Sequence, residues 1–245
     1  MRLIAHSIRL QISLTAATAL FVAIVTMIIY GVLSSQTLFE RTSDSLNQYS
    51  ELMISESLEK ISDQIAAVKT TINNSILIAE SLSHTQSFLV INRFREFNRS
   101  VTSDYVKHTL ITNPDLIGTY MVWEPNSVDG LDHQFKGEGK HSDHNGQFAP
   151  YWTRSMSGAF GVRPTNMDIV YGPQSKNQRG VRPGEWYLCP FHKGETCVSE
   201  PAVWEVQGVP TLMTSITTPI KIDNETIGIT GVDVSLSFIQ NLAEQ

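Results

Sequence analysis

The feature that most limits what this chain can become is an uncharged run from Leu10 to Val32, LQISLTAATALFVAIVTMIIYGV, 23 residues long. As a helix rising about 1.5 Å per residue it spans roughly 35 Å, enough for a hydrocarbon core of about 30 Å with some tilt. In lipid such a run can only be helical, because every backbone polar group must bond internally. A cleaved signal peptide is the competing reading. The run is longer than the ~7–15 apolar residues of a signal core, and nothing like A-x-A follows it. Arg2, Arg9 and the amino terminus precede it, whereas Glu40 and Arg41 follow. The positive-inside rule therefore puts the N-terminus in the cytoplasm and residues after about 35 in the periplasm, as a single-pass signal anchor in the inner membrane.

Helix breakers are missing for a long way after the anchor. No glycine lies between Gly31 and Gly118, and the first of ten prolines is Pro114. Leu58, Ile61, Ile65, Val68, Ile72, Ile76 and Ala79 recur at spacings of three and four, with Glu59, Lys60, Asp63, Gln64 and Lys69 opposite. This predicts one long helix from the membrane to about residue 82, a break at Ser83-His84-Thr85, and a second helix over about 87–110. The apolar stripe suits packing on the following domain and, compatibly, a partner helix in a homodimer.

Residue 113 marks a change of regime. Leu116–Trp123 is rich in strand formers. Residues 129–146 form a polar loop, and 148–154 (FAPYWTR) follows a turn. Residues 155–184 read mostly as loop, and Trp186-Tyr187-Leu188 leads into a cysteine loop. Ala202–Val206 and Thr211–Ile222 flank Gln207-Gly208, a hairpin turn. Asp223-Asn224-Glu225 is a second turn before Thr226–Leu236, and Ser237–Glu244 looks like the start of another helix. Long helices followed by consecutive antiparallel strands predict an α+β domain.

A net charge of −6 without a basic run gives no footprint for nucleic acid. Cys189 and Cys197 are the only cysteines, with seven residues between them. Outside the inner membrane a disulfide is favoured over zinc, because C-x7-C lacks the C-x2-4-C spacing and a second ligand pair. His133, His141, Asp143 and His144 lie in a Gly-rich loop without i, i+4 spacing, and Asp143-x-Asn145-Gly146 lacks the rest of a calcium loop. The segment reads as solvated loop, with no metal or cofactor expected. No nucleophile elbow or phosphate cradle is present in the sequence, which argues against an enzyme.

Taken in order, EPNSVDG (124–130), GQFAPYW (146–152), EWYLCP (185–190) and GVDVSL (231–236) resemble the double Cache (PAS-like) sensor of bacterial methyl-accepting chemotaxis receptors. The resemblance implies a cytoplasmic N-terminus over 1–9, a transmembrane helix over 10–34 and helices over 35–112. A membrane-distal Cache module would follow over 113–240, with 241–245 beginning a connection to a second module. It also implies a small-molecule ligand, an amine or amino acid, and signalling across the inner membrane. A histidine kinase or diguanylate cyclase sensor is the alternative.

Members that bind amines or amino acids hold the ligand between aromatic residues and anchor its ammonium on carboxylates. Trp186 and Tyr187 match the family's Trp-Tyr pair, and Asp233 the aspartate of its Gly-Val-Asp segment. By counting along the strand, Val232 and Val234 are assigned to the face opposite Asp233, with Thr230 and Ser235 on its own face. A carboxylate in so apolar a strand needs a partner; capping of the helix near Ser237 is the other use for it. The family's arginine two residues before the tryptophan is replaced by Gly184, and its later Tyr and Asp by Ala202 and Trp204. The expected pocket is therefore walled by Trp152, Trp186, Tyr187 and Trp204 with Asp233 at its floor, and suits an amine better than a zwitterion.

Overall fold

A computed structural model describes residues 2–91, 98–177 and 180–237. The chain divides into two units, Met1–Ser62 and Asp63–Gln245. The first unit is helical throughout its described residues, being the N-terminal part of helix α1 (Arg2–Ile91). One helix among the described residues is long and apolar enough to cross a membrane, and it carries the run identified above.

The expected break at Ser83-His84-Thr85 does not occur, since α1 continues to Ile91. The polar side chains that suggested it have partners that leave the helix intact. The Thr85 hydroxyl donates back to the Ser81 carbonyl, and the Ser83 hydroxyl donates at 2.6 Å to the Pro219 carbonyl on the sheet. The second helix accordingly starts later than expected, as α2 (Arg99–Thr112), with residues 92–97 outside the described ones. Asn98 caps α2, its Oδ1 accepting from the Ser100 and Val101 amides, two of the donors that a helix start leaves unpaired.

The second unit is built on a sheet of seven strands: β1 (Leu116–Trp123), β2 (Pro150–Arg154), β3 (Phe160–Pro164), β4 (Cys197–Val198), β5 (Ala202–Val206), β6 (Val209–Ile222) and β7 (Glu225–Ser235). The order is β3-β2-β1-β7-β6-β4, and β5 follows β4 along the same edge of β6. All pairings are antiparallel. Both expected turns form. Gln207 and Gly208 join β5 to β6, Asp223 and Asn224 join β6 to β7, and all four have positive φ, as tight two-residue hairpin turns of the primed types require. Residues 155–184, expected to be mostly loop, also contain β3 and the short helix α3 (Asp168–Tyr171). The cysteine loop begins as a helix, α4 (Glu185–Lys193). Of the helix expected over 237–244, only its first residue lies within the described ones.

The sheet buries both faces, so β1, β6 and β7 are buried along most of their length, Thr and Ser side chains included. On one face Val232, Val234, Ile216 and Met121 pack with Ala79 and Leu82 of α1 and Val106 and Leu110 of α2. Ile72 and Ile76 continue that contact, whereas Leu58, Ile61 and Ile65 farther down the same stripe are exposed. The other face carries Tyr120, Val122 and Ile229 under α3 and α4. Cys189 of α4 is disulfide-bonded to Cys197 of β4, tying that helix to the sheet edge.

The polar loop after β1 is anchored to the domain at a few buried positions, while much of it, His133 and His144 included, is exposed as expected. Arg99 of α2 grips both Asp129 carboxylate oxygens at 2.7 and 2.8 Å, Asp132 at 2.6 Å and the Gly146 carbonyl at 2.7 Å. Its guanidinium also lies 4.1 Å from the Phe135 ring centre. His141 and Asp143, expected in solvent, are buried beside this clamp's partners in the loop.

Candidate functional site

A cavity of about 200 Å³ opens on the α4 side of the sheet. The strands under it decide its shape. β7 pairs β1 on one side and β6 on the other, so Asp233 stands in register between Gly118 and Ser215. Gly118 has no side chain to cover the carboxylate; a Cβ there would lie 2.5 Å from Asp233 Oδ2. Gly231, two residues along on the same face, leaves room for the Tyr120 ring in the same way, a Cβ there falling 2.3 Å from Tyr120 Cζ. The floor of the cavity is therefore a buried carboxylate flanked by one glycine and one serine.

Asp233 is 2 % exposed. The Ser215 hydroxyl donates to its Oδ1 at 2.6 Å, and the Tyr151 hydroxyl bonds the same carboxylate. Burial pushes its pKa up to about 6, against the opposing pull of those two hydrogen bonds. The Tyr120 and Tyr151 phenols are held well above their ordinary value, by burial first and then by the Asp233 charge. An ionised carboxylate in this position has few fixed donors, and a ligand ammonium would supply them.

The walls are aromatic. Tyr120 meets Tyr151 and Trp186 edge-on, with ring centres 5.5 and 5.7 Å apart. Trp186 enters from the first turn of α4 and Trp204 from β5, while Thr165, Asn166 and Ile169 close the side toward α3. Met213 and Glu205 complete the β5–β6 side. Arg163 of β3 also lines the cavity, its guanidinium 5.7 Å from the Tyr151 ring centre and its Nη2 donating at 2.9 Å to the Glu205 carbonyl.

Of the five residues expected to meet at one pocket, Trp186, Trp204 and Asp233 do so. Trp152 does not. Strand alternation puts its neighbour Tyr151 into the cavity and turns Trp152 to the helix face, where its Nε1 donates at 2.8 Å to Ser103 of α2. Tyr187 is also away from the lining: it stacks on Phe191 at 5.4 Å and its hydroxyl donates to Glu124. Thr230, assigned to the Asp233 face, belongs to the opposite one, with Val232, and donates to the Ala79 carbonyl of α1 at 3.0 Å. Side chains alternate with period two, so Asp233 shares its face with Gly231 and Ser235 instead. Tyr151, Arg163 and Ser215 were not foreseen. For Ser215 the hairpin at Asp223-Asn224 is not enough: its register alone sets Ser215 opposite Val232, and an irregularity between Ile220 and Lys221 shifts the pairing by one residue to bring it opposite Asp233.

The family model described as "Methyl-accepting chemotaxis protein-like, first PDC sensor domain" matches residues 102–241, more than half of the chain. The chain belongs to this family. The match takes in α2 from Thr102 onward, the whole sheet and the cavity of this PDC module. The methyl-accepting chemotaxis protein TlpQ of Pseudomonas aeruginosa is 34% identical over 141 residues, which are 57% of this chain and 20% of TlpQ. Among solved structures, the extracellular domain described as that of the histidine kinase mmHK1S-Z3 is 26% identical with a TM-score of 0.57, over 70% of this chain and 55% of that one. Methyl-accepting chemotaxis protein X follows at 23% identity and a TM-score of 0.55, over 73% and 62%. The periplasmic sensory domain of Campylobacter jejuni Tlp1 shares the fold at 15% identity and a TM-score of 0.52, over 74% and 59%. The chain thus spans a fifth of TlpQ and just over half of the first of these solved sensor domains. The PDC module is a sensor domain of the chemoreceptor kind, on an α+β fold preceded by a long apolar helix.

Proposed function

We propose that this chain is the anchored, extracytoplasmic sensing part of a chemotaxis receptor, and that its cavity holds a small amine or amino-acid-like ligand with the ammonium on Asp233. One observation carries this reading: a carboxylate 2 % exposed at the base of a cavity walled by Tyr120, Tyr151, Trp186 and Trp204. A cation is held there by charge-assisted hydrogen bonds and by ring faces, both strengthened by exclusion of water. Arg163 returns to the rim the positive charge that Gly184 does not provide, so amino acids stand beside amines as ligands.

The span over residues 10–34 anchors the module, residues 35–112 connect it, and 113–240 form the sensor. The exposed Leu58, Ile61 and Ile65 stripe supports a second copy of the chain as partner. A ligand acts by favouring one of two arrangements that the long helix reports to the membrane. Likeness to the mmHK1S-Z3 extracellular domain supports a second reading, the same sensor on a histidine kinase.

The test is isothermal titration of the full chain in detergent with L-lysine, L-arginine and their decarboxylated amines. Saturable binding that Asp233→Asn abolishes is the expected result. Binding that this substitution leaves unaltered, or no binding by any of the four, would overturn the assignment.

A further inference from the structure

The strands that flank the cavity are not all held alike. Among the described residues β6 is paired with β7 only from Met213 onward, and its residues 209–212 pair with β5 alone. Among the described residues β5 in turn pairs with β6 and nothing else. Residues 202–212 are therefore a two-stranded ribbon projecting past the body of the sheet, an element of marginal stability by itself. Trp204 and Glu205 of this ribbon form one side of the cavity, whereas Asp233, Ser215 and Tyr120 belong to the body.

The tip of the ribbon is fastened at the far end of the sheet. Gln207 Nε2 donates to the Thr153 carbonyl at 3.1 Å, the Thr153 hydroxyl at 3.2 Å and the Ala159 carbonyl at 3.0 Å. Arg163 Nη2 adds the bond to the Glu205 carbonyl at 2.9 Å. β3 and β5 lie at opposite ends of the strand order, so these bonds join the two ends of a curled sheet beside the cavity, which Arg163 and Glu205 themselves line. They are exposed or half-exposed, which makes them the weakest class of tertiary bond here and the easiest to exchange for water.

From this we infer that the β5–β6 ribbon is a gate hinged at Ala202 and Met213, with Gln207 and Arg163 as its clasp, and that ligands enter and leave when the clasp opens. The inference rests on the reading of the cavity as a ligand site, but the gate can be tested without any ligand. Met213 lines the cavity and is 1 % exposed, and the chain has no free cysteine, so a thiol at 213 reports opening alone. A water-soluble maleimide is the probe, applied to the full chain carrying Met213→Cys with and without Gln207→Ala.

Loss of the clasp is expected to raise the labelling rate roughly tenfold, the effect of removing one to two net hydrogen bonds from the closed state. A second variant covers the case in which Gln207→Ala does not fold. A Cβ at Gly161 lies 3.3 Å from Gln207 Cγ, so oxidised Gly161→Cys/Gln207→Cys staples the tip down. Hydrogen exchange of residues 202–212 should then slow relative to the wild type. Unchanged labelling, or unchanged exchange in the stapled chain, would overturn the gate. A chain that binds none of the amines or amino acids yet shows both effects would end the ligand reading and leave the gate standing.

Discussion

Ser215 and Asp233 face each other across the β6–β7 ladder, and the hydroxyl donates to the carboxylate at 2.6 Å. Apart from the Tyr151 hydroxyl, this is the support that the structure gives to a charge it has taken out of water. The carboxylate is thus under-supplied with donors when the cavity is empty, and that shortage has measurable consequences.

The first is a trade between stability and binding. With its folded pKa at about 6 against 3.8 in the unfolded chain, Asp233 is protonated when folded and ionised when unfolded between those values. The folded state then holds the extra proton, so stability falls as pH rises from about 4 to 6 and stays lower above that. Two pKa units correspond to about 3 kcal/mol. Asp233→Asn should therefore raise the melting temperature of the empty chain at pH 7.5 while ligand binding disappears. Equal melting temperatures at pH 7.5 would show that the carboxylate is not penalised.

The second concerns pH and affinity. An ammonium ligand needs Asp233 ionised, so its affinity should be level above pH 7 and drop about tenfold per unit well below 6. Titrations between pH 5 and 8 read this directly, and an affinity that improves on acidification would mean that the ligand is an anion.

The glycines give a steric prediction. Gly118→Ala sets a methyl 2.5 Å from Asp233 Oδ2 and 2.8 Å from Tyr151 Cε2, with a strand on each side to prevent retreat. Overpacking of this kind costs about 1–3 kcal/mol. Both a lower denaturant midpoint and at least a severalfold loss of ligand affinity are expected. A wild-type affinity would place the ligand away from the Asp233 floor.

Trp152 and Trp204 should separate the two faces. Trp152→Phe removes the bond to Ser103 and should lower stability by about 1 kcal/mol with affinity retained. Trp204→Ala, on the cavity wall, should weaken binding with little change in the melt of the body of the sheet.

Arg99 supplies a stability prediction remote from the ligand. Arg99→Leu leaves Asp129 and Asp132 buried without their counter-charge, a loss of about 3–5 kcal/mol. Chemical denaturation measures it, and a change below 1 kcal/mol would show that the loop does not depend on the clamp.

The elements with strong local signals were readable before any coordinates. The breaker-free helix, the strand Leu116–Trp123 and the two hairpins at Gln207-Gly208 and Asp223-Asn224 carry their causes in neighbouring residues. What sequence could not give was phase. Tyr151-Trp152 is a pair of adjacent aromatics, and only pairing with β1 decides which one enters the cavity. Thr230, by contrast, follows from strict alternation along β7, which sets it on the face of Val232 and not that of Asp233. Ser83 and Thr85 looked like a helix break because their partners, the Pro219 carbonyl and the helix's own backbone, lie in a tertiary contact and an inward bond. Arg163 was invisible because it reaches the cavity from β3, a strand hidden in a Gly- and Pro-rich stretch.

The bond between Cys189 and Cys197 has a bearing on when the cavity of this module is complete. It fastens α4, the helix that presents Trp186, to the outer edge of the sheet. Thiols stay reduced in the cytosol and pair only beyond it. In the proposed extracytoplasmic placement, a newly made chain would complete that wall of its cavity only after export, and any capacity for a ligand would be acquired along with the correct side of the membrane.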